Sequence, residues 1–466
     1  MKVIMLGNDT KKEIEKRVQI VASAGNLSRA RGTVTDVIKK NSDYESNLKL
    51  ARAIISYGHR SISEHDYLTF ALEDVTPIIE QIIISYRLTS FTIKSRRNVD
   101  FRNVGFYIPD FKDNNGNTLN NNKELQNKYK LYMKSLFDKY GDLVDEDLPI
   151  EDCRYILPYC YYSNIIMGLD ANELLKMTSD MLYGKISNIT EVHELGEKFK
   201  EIIKDKIPYL YKSLVNEEGK DYYTDKFKYL DEFIGVNEEL LKEVKMTNYT
   251  KNADDIVFRN ILCQRYQISY KKAGSIVKEL DKDKLIKALV LSKSQRELEQ
   301  VIYSFSFPIS LAVLTHITRH RMHSFLIPDF VPIWNLENYI IPDSIKLKYE
   351  KEYRNIFNKN KEVMEEFKSY GVREEDWVYF YLSGNACNCY TTMNARALEW
   401  ISRMRCCNKA QWEIRYIVNK MVDEVKEVSP YIYKCLGPAC KVLGYCPEGK
   451  DSCINRGVVI NPDKKN

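Results

Sequence analysis

Leu314-Thr-His-Ile-Thr-Arg-His-Arg-Met-His-Ser324 sets His316, Arg319, His320, Arg321 and His323 within eight residues, and three of the chain's six histidines lie inside it. An apolar run, Phe307-Pro-Ile-Ser-Leu-Ala-Val-Leu314, leads straight into it. That order predicts a buried element delivering a cationic cluster to one point. Arginine brings fixed bidentate donors for phosphate or carboxylate, and histidine adds a donor that titrates near neutral pH. Taken alone, the residues fit a solvated basic helix end equally well. A second occurrence changes that balance: Ser85-Tyr-Arg-Leu-Thr-Ser90 runs parallel to Arg319-His-Arg-Met-His-Ser324.

Other markers recur with it. Met1-Lys-Val-Ile-Met-Leu-Gly-Asn-Asp-Thr reads as a strand, a polar turn and a helix start, and Val244-Lys-Met-Thr-Asn-Tyr-Thr-Lys-Asn-Ala repeats that order. Leu169-Asp-Ala-Asn-Glu-Leu-Leu175 parallels Met393-Asn-Ala-Arg-Ala-Leu398. The offset is roughly 220 to 240 residues throughout, which indicates a tandem duplication of a unit of ordinary domain size. The expected division is a first copy over 1–213, an ordered helical connector over 214–243 and a second copy over 244–466. Each copy is expected to be α+β, with a mainly antiparallel sheet and long helices. Lys123 to Tyr140 and Lys346 to Tyr370 read as charged, solvated outer helices. Strand candidates are Val3–Leu6, Tyr67–Leu72 and Val301–Phe307. Asp113 to Asn122 reads as an Asn-rich turn, and Asp463 to Asn466 should fray.

Bulk properties narrow the function classes. The 466 residues carry 70 basic against 65 acidic groups, a net charge of +5, too balanced for a strong nucleic-acid footprint. No apolar run approaches the roughly 18 residues of a membrane span, and no secretory signal opens the chain. The 11 cysteines are scattered and odd in number, which places the protein in the cytoplasm with reduced thiols. Cys435, Cys440, Cys446 and Cys453 follow C-x4-C-x5-C-x6-C and lack tight knuckles, so no metal site is assigned and the question stays open.

Several stretches carry chemistry. Gly58-His-Arg-Ser-Ile-Ser-Glu-His65 precedes a strand and can hydrogen-bond a ligand or simply cap a helix. Ser95, Arg96 and Arg97 together suit an anion. Asn394-Ala-Arg-Ala-Leu-Glu-Trp-Ile-Ser-Arg-Met-Arg405 opens a helix expected to run to about Val425. Asn394 and Arg405 then lie within about 20° of one face and about 16 Å apart along the axis, which suits the two ends of an extended ligand.

Together these residues resemble the flavin-dependent thymidylate synthases, whose markers are R-H-R, seven residues, then Ser, followed later by N-A-R, L-R and A-Q-W-E-I-R. Arg319-His320-Arg321, Asn394-Ala395-Arg396, Arg405 and Ala410 to Arg415 match closely. Gly58 to His65 is similar to the family's G-H-x-S-x-x-E-H element, and Asp152-Cys-Arg-Tyr-Ile-Leu-Pro158 to its A-R-x-x-L-P segment. The departures are complementary. The first copy keeps Ser95, Arg97 and Arg154 but has Ser85-Tyr86-Arg87 for R-H-R, Asp170-Ala-Asn172 for N-A-R, and Met181 for the later arginine. The second keeps R-H-R, N-A-R and Arg405 but has Asp329 at the serine position and no arginine near Val378.

The resemblance implies reductive methylation of dUMP to dTMP, with FAD as cofactor and methylenetetrahydrofolate and NAD(P)H as co-substrates. It implies Arg405, Arg319 and His320 as catalytic residues. Arg319, His320, Arg321, Asn394, Arg396, Ser61 and Glu64 would hold the cofactor. Ser95, Arg96, Arg97, Arg154, His316 and Arg405 would hold the substrate. Family members are homotetramers with sites shared between chains, which implies here a homodimer forming a pseudo-tetramer with two composite sites. His316 stands where the family has glutamine and Trp400 where it has a polar residue, which keeps a non-catalytic flavin- or nucleotide-binding paralogue as the alternative.

Overall fold

The computed structural model describes residues 1–232, 239–292 and 295–453, and it resolves into two compact units. The first comprises the described part of Met1–Glu238 with Phe330–Glu337 and Ile341–Ser383. The second comprises Glu239–Asp329 and Asn338–Ile340 with the described part of Gly384–Asn466. The C-terminal Asp463–Asn466 and residues 233–238 of the connector lie outside the described residues.

Each unit holds one four-stranded antiparallel sheet of the same topology. In the first, β1 (Lys2–Met5), β2 (Tyr67–Val75), β3 (Ser90–Ile93) and β4 (Ser163–Asp170) are ordered β1-β2-β4-β3. In the second, β5 (Lys245–Tyr249), β6 (Ile302–Ser310), β7 (His323–Leu326) and β8 (Ala386–Asn394) are ordered β5-β6-β8-β7. Leu68, Phe70 and Leu72 are fully buried while Tyr67 is exposed, the period-two pattern of a strand with one face covered.

Register carries the duplication to single residues. Tyr67 faces Asp170 in the first sheet as Ile302 faces Asn394 in the second. Ser90 faces Gly168, and Ser324 faces Thr392, each two residues before that cap. Asp170 and Asn394 then end their strands and cap the next helices, Ala171–Tyr183 and Ala395–Arg405. Asp170 Oδ1 accepts from Glu173 N at 2.9 Å and Asn394 Oδ1 from Ala397 N at 2.8 Å. A short polar side chain at that position satisfies an otherwise orphaned helix donor.

A buried glutamate clamps a second helix start in each unit. Thr76 N and Oγ1 donate to the two oxygens of Glu191 at 3.0 and 2.6 Å, at the head of Pro77–Ser85. Ser310 N and Oγ donate to those of Glu413 at 2.8 and 2.7 Å, at the head of Leu311–Thr318.

The long helices occur as Asn122–Asp145 and Asp343–Ser369, both in the first unit. They are not solvated all round. One buries Tyr129, Met133, Phe137 and Tyr140, the other Tyr353, Phe357 and Phe367. Tyr132 Oη donates to Asn360 Oδ1 at 3.1 Å, and Tyr129 packs edge-on against Phe380 at 5.4 Å. Nearby, Pro158 and Leu382 form an antiparallel bridge, with Tyr159 N donating to Tyr381 O at 2.7 Å and Ser383 N to Leu157 O at 2.9 Å. Pro158 stands twelve residues before Asp170, and Leu382 twelve before Asn394. Counterparts from the two repeats therefore meet each other, the signature of a local two-fold contact.

A further expectation needs correction. The helix starting at Ala395 stops at Arg405, and a second one, Trp412–Val428, begins where Gln411 Oε1 accepts from Glu413 N and Ile414 N at 2.8 and 3.2 Å. The described part of the connector carries short 3-10 helices at Asp221–Tyr223 and Lys228–Glu232. The strands β3, β4, β7 and β8 were not expected from the pattern at all.

Glu191 is fully enclosed, and burial pushes its carboxyl up to about 7 against the three hydrogen bonds it accepts, the third from Tyr379. Its ordinary value is 4.5, so the folded state binds more protons than the unfolded one between about 4.5 and about 7. Native stability is then lost as pH rises through that window. Melting curves of wild type and Glu191→Gln from pH 5 to 8 should show the wild type losing ground to the variant as pH increases. A gap independent of pH contradicts this reading.

Candidate active site

The second unit brings one set of the expected residues together. Leu311–Thr318 is buried through Leu311, Ala312, Val313, Leu314, Thr315 and Ile317, so its C-terminal end has a fixed position. There the chain tightens, with His320 N donating to Ile317 O at 3.0 Å. Beyond the turn His323 is buried, its ring nitrogens 2.8 Å from Thr391 Oγ1 and 3.3 Å from Ile317 O. The R-H-R residues are thus pinned on both sides.

Arg405, the last residue of its helix, meets this turn. Its Nε donates to His320 Nε2 at 3.0 Å. The His320 imidazole is pushed down to about 3, first by burial and then by Arg405, His323 and Arg319. It is therefore neutral at physiological pH, and the arginines beside it mark a place suited to an anion.

Asn394 and Arg396 lie at the other end of the same helix. Asn394 is spent on the cap, and Arg396 pairs with Glu299 of the turn Arg296–Gln300. Glu299 was not anticipated from the sequence. It stands three residues before β6 as Glu64 stands three before β2, which is the signal that could have found it. In the first unit Glu64 Oε1 accepts from Asn172 Nδ2 at 3.3 Å, the same contact between counterpart positions. Ser61 and Glu64 are both exposed on the turn Arg60–His65. His316 is half-buried near the end of its helix.

The first unit assembles the other set. Arg97 Nε donates to Glu151 Oε2 at 2.5 Å, Arg154 Nε donates to Glu151 O at 3.1 Å, and Ser95 Oγ accepts from Arg97 N at 3.4 Å. Arg154 is only 2% exposed, no carboxylate hydrogen-bonds it among the described residues, and its Nη2 has no hydrogen-bond partner there. Burial lowers its pKa, and Arg96 adds to the effect. A buried guanidinium in that state suits an incoming anion. Arg96 is spent differently. It is buried, donates to Glu80 Oε2 at 2.8 Å, bonds the Tyr161 hydroxyl, and lies 5.4 Å over that ring.

In the first unit Tyr86, the counterpart of His320, donates from Oη to Asp180 Oδ2 at 2.6 Å, and Asp180 corresponds to Met404 rather than to Arg405. An arginine-rich corner in one repeat is a tyrosine–carboxylate corner in the other. Among the described residues no group of three or more His, Cys, Asp and Glu is placed to hold a metal ion, and no helix is long and apolar enough to cross a membrane.

Fold and site thus define a duplicated α+β protein with two differently specialised cationic corners. The family model described as thymidylate synthase complementing protein matches residues 12–209 and again 245–431. The chain belongs to this family and carries its domain twice. The flavin-dependent thymidylate synthase of Clostridium tetani is 31% identical over 237 residues, covering 45% of this chain and 92% of that protein. That of Saccharolobus solfataricus is 32% identical over 208 residues, covering 42% and 77%. A solved flavin-dependent thymidylate synthase from Helicobacter pylori, complexed with FAD and dUMP, is 20% identical with a TM-score of 0.33, covering 42% of this chain and 99% of that one.

Because Arg154 is held against a desolvation penalty, Arg154→Leu is expected to keep or raise the melting temperature. It should also abolish the thermal stabilisation given by inorganic phosphate. A variant that melts lower and still responds to phosphate contradicts an anion role.

Proposed function

We propose that the chain catalyses reductive methylation of dUMP to dTMP, using methylenetetrahydrofolate and NAD(P)H, at sites built from both repeats. The observation that carries this is the split between repeats. Arg319, His320, Arg321, Asn394, Arg396 and Arg405 survive in one, and Ser95, Arg97 and Arg154 in the other. Decay without selection has no reason to sort residues into complementary halves. The division into copies 1–213 and 244–466 joined by 214–243 belongs to this reading, as does a homodimer in the cytoplasm that forms a pseudo-tetramer with two sites.

FAD, when bound, supplies hydride transfer, which no side chain can perform. The residues suit it: the arginines around His320 attract a diphosphate, and Arg319, His320, Arg321, Asn394 and Arg396 would hold the cofactor. Ser61 and Glu64 would reach it from the first repeat. Ser95, Arg96, Arg97, Arg154 and His316 would hold the nucleotide. Of these, Arg154 suits the phosphate best, because Arg96 pairs with Glu80 and Arg97 with Glu151 while no carboxylate hydrogen-bonds Arg154 among the described residues. Arg405 would stabilise negative charge on the uracil ring as C5 becomes nucleophilic. Ser95 is not assigned as a nucleophile, since the contact its hydroxyl makes is the Arg97 amide and not a base.

Purified protein should be yellow, and should release tritium from C5-labelled dUMP only with methylenetetrahydrofolate and NADPH present. Arg405→Ala should lower turnover by about 10²–10³-fold with flavin still bound. Normal turnover in that variant removes Arg405 from the chemistry, and a colourless, inactive wild type removes the proposed function.

A further inference from the structure

We propose that His320 acts as a positioning residue for Arg405: its ring sets the plane of the Arg405 guanidinium and thereby aims it. This rests on the reading of Arg405 as the group acting on the uracil.

Arg405 ends its helix half-buried, and a long side chain there has many rotamers to select among. A guanidinium is planar, so one directed hydrogen bond at Nε fixes the orientation of both terminal nitrogens. His320 Nε2 provides that bond at 3.0 Å. Arginine only donates, so Nε2 must accept and the ring proton must sit on Nδ1. An imidazolium would have no lone pair to offer and would repel the guanidinium.

The turn that carries the ring is itself held. The turn bond from His320 N to Ile317 O and the buried His323 fix the backbone on either side. The helix before it is clamped at its start by Glu413. The first repeat joins the corresponding turn and helix through different residues. Where Arg405 has become Met181 and His320 has become Tyr86, the neighbouring Asp180 takes the place of partner at 2.6 Å. The two positions have changed together within one chain, and the first repeat ties the same turn to the same helix through Asp180 instead.

The test is a double-mutant cycle measured at saturating FAD. His320→Ala should lower kcat by about 10- to 100-fold with little change in the KM for dUMP. His320→Gln, whose side-chain oxygen can accept from Arg405 Nε, should recover most of that loss. His320→Ala combined with Arg405→Ala should be no slower than Arg405→Ala alone. The proposal fails if glutamine does not rescue, if the two losses multiply, or if saturating FAD restores His320→Ala.

Ring 15N shifts separate this outcome from failure of the proposed function. His320 should report the neutral Nδ1–H form from pH 5 to 8, and Arg405→Ala should move its Nε2 signal. An inactive wild type that shows both responses keeps the contact and rejects the reaction. A protonated His320 ring at pH 7 rejects the contact.

Discussion

In each unit a buried carboxylate holds the head of a short apolar helix, and the cationic corner depends on it. Ser310 gives both its amide and its hydroxyl to Glu413, so Leu311–Thr318 cannot slide or fray at its start. A rigid rod eight residues long then places the residues beyond its last turn, and those residues are Arg319-His-Arg321. Burying a carboxylate is costly unless its oxygens are met by donors, and here an amide and a hydroxyl meet both. Thr76 and Glu191 repeat the device in the first unit, where the rod delivers Ser85-Tyr-Arg87 instead. The clamp has been kept in both repeats while the residues it delivers have diverged.

Divergence proceeded by exchanging whole contacts. Glu80 and Arg96 form a buried ion pair in the first repeat, and the positions at the same distances from Thr76 and Ser90 are Leu314 and Phe330 in the second. Asp66, bonded by Arg17 at 2.9 and 3.1 Å and by Tyr209 at 2.5 Å, has Val301 as its counterpart. Removing one member of a buried charge pair strands the other, so such pairs come and go together. That constraint lets one repeat lose its arginine corner without losing its fold, and lets the other lose its serine and phosphate arginine. The paired segments at Pro158 and Leu382 place parts of both repeats in one compact unit. A contact of the kind made between identical subunits is thereby made within one chain.

Much of this was legible in the residues. The duplication showed in Ser85–Ser90 against Arg319–Ser324, and register later placed Ser90 and Ser324 at corresponding points. Central strands were harder. Ala386-Cys-Asn-Cys-Tyr-Thr-Thr-Met-Asn394 drew attention to its cysteines, yet Cys387 and Cys389 are simply buried on the covered face of a strand, beside Thr391 and Met393. Four-residue strands such as β3 and β7 are too short to show a period. The break at Cys406–Gln411 has no Gly or Pro to announce it, and only the Gln411 cap explains it. Long-range partners could not be read at all. Nothing near Arg96 in the sequence says that Glu80 will neutralise it, and nothing in Ala410 to Arg415 says that Glu413 will clamp Ser310.

The central claim is that two half-sites, one from each repeat, make one working site per chain. Equilibrium titration of the flavin-loaded protein with dUMP, with chain concentration fixed by amino-acid analysis, tests it most directly. The account predicts one dUMP and one FAD for each 466-residue chain. Two of each per chain would contradict it, because each repeat would then hold a complete site of its own.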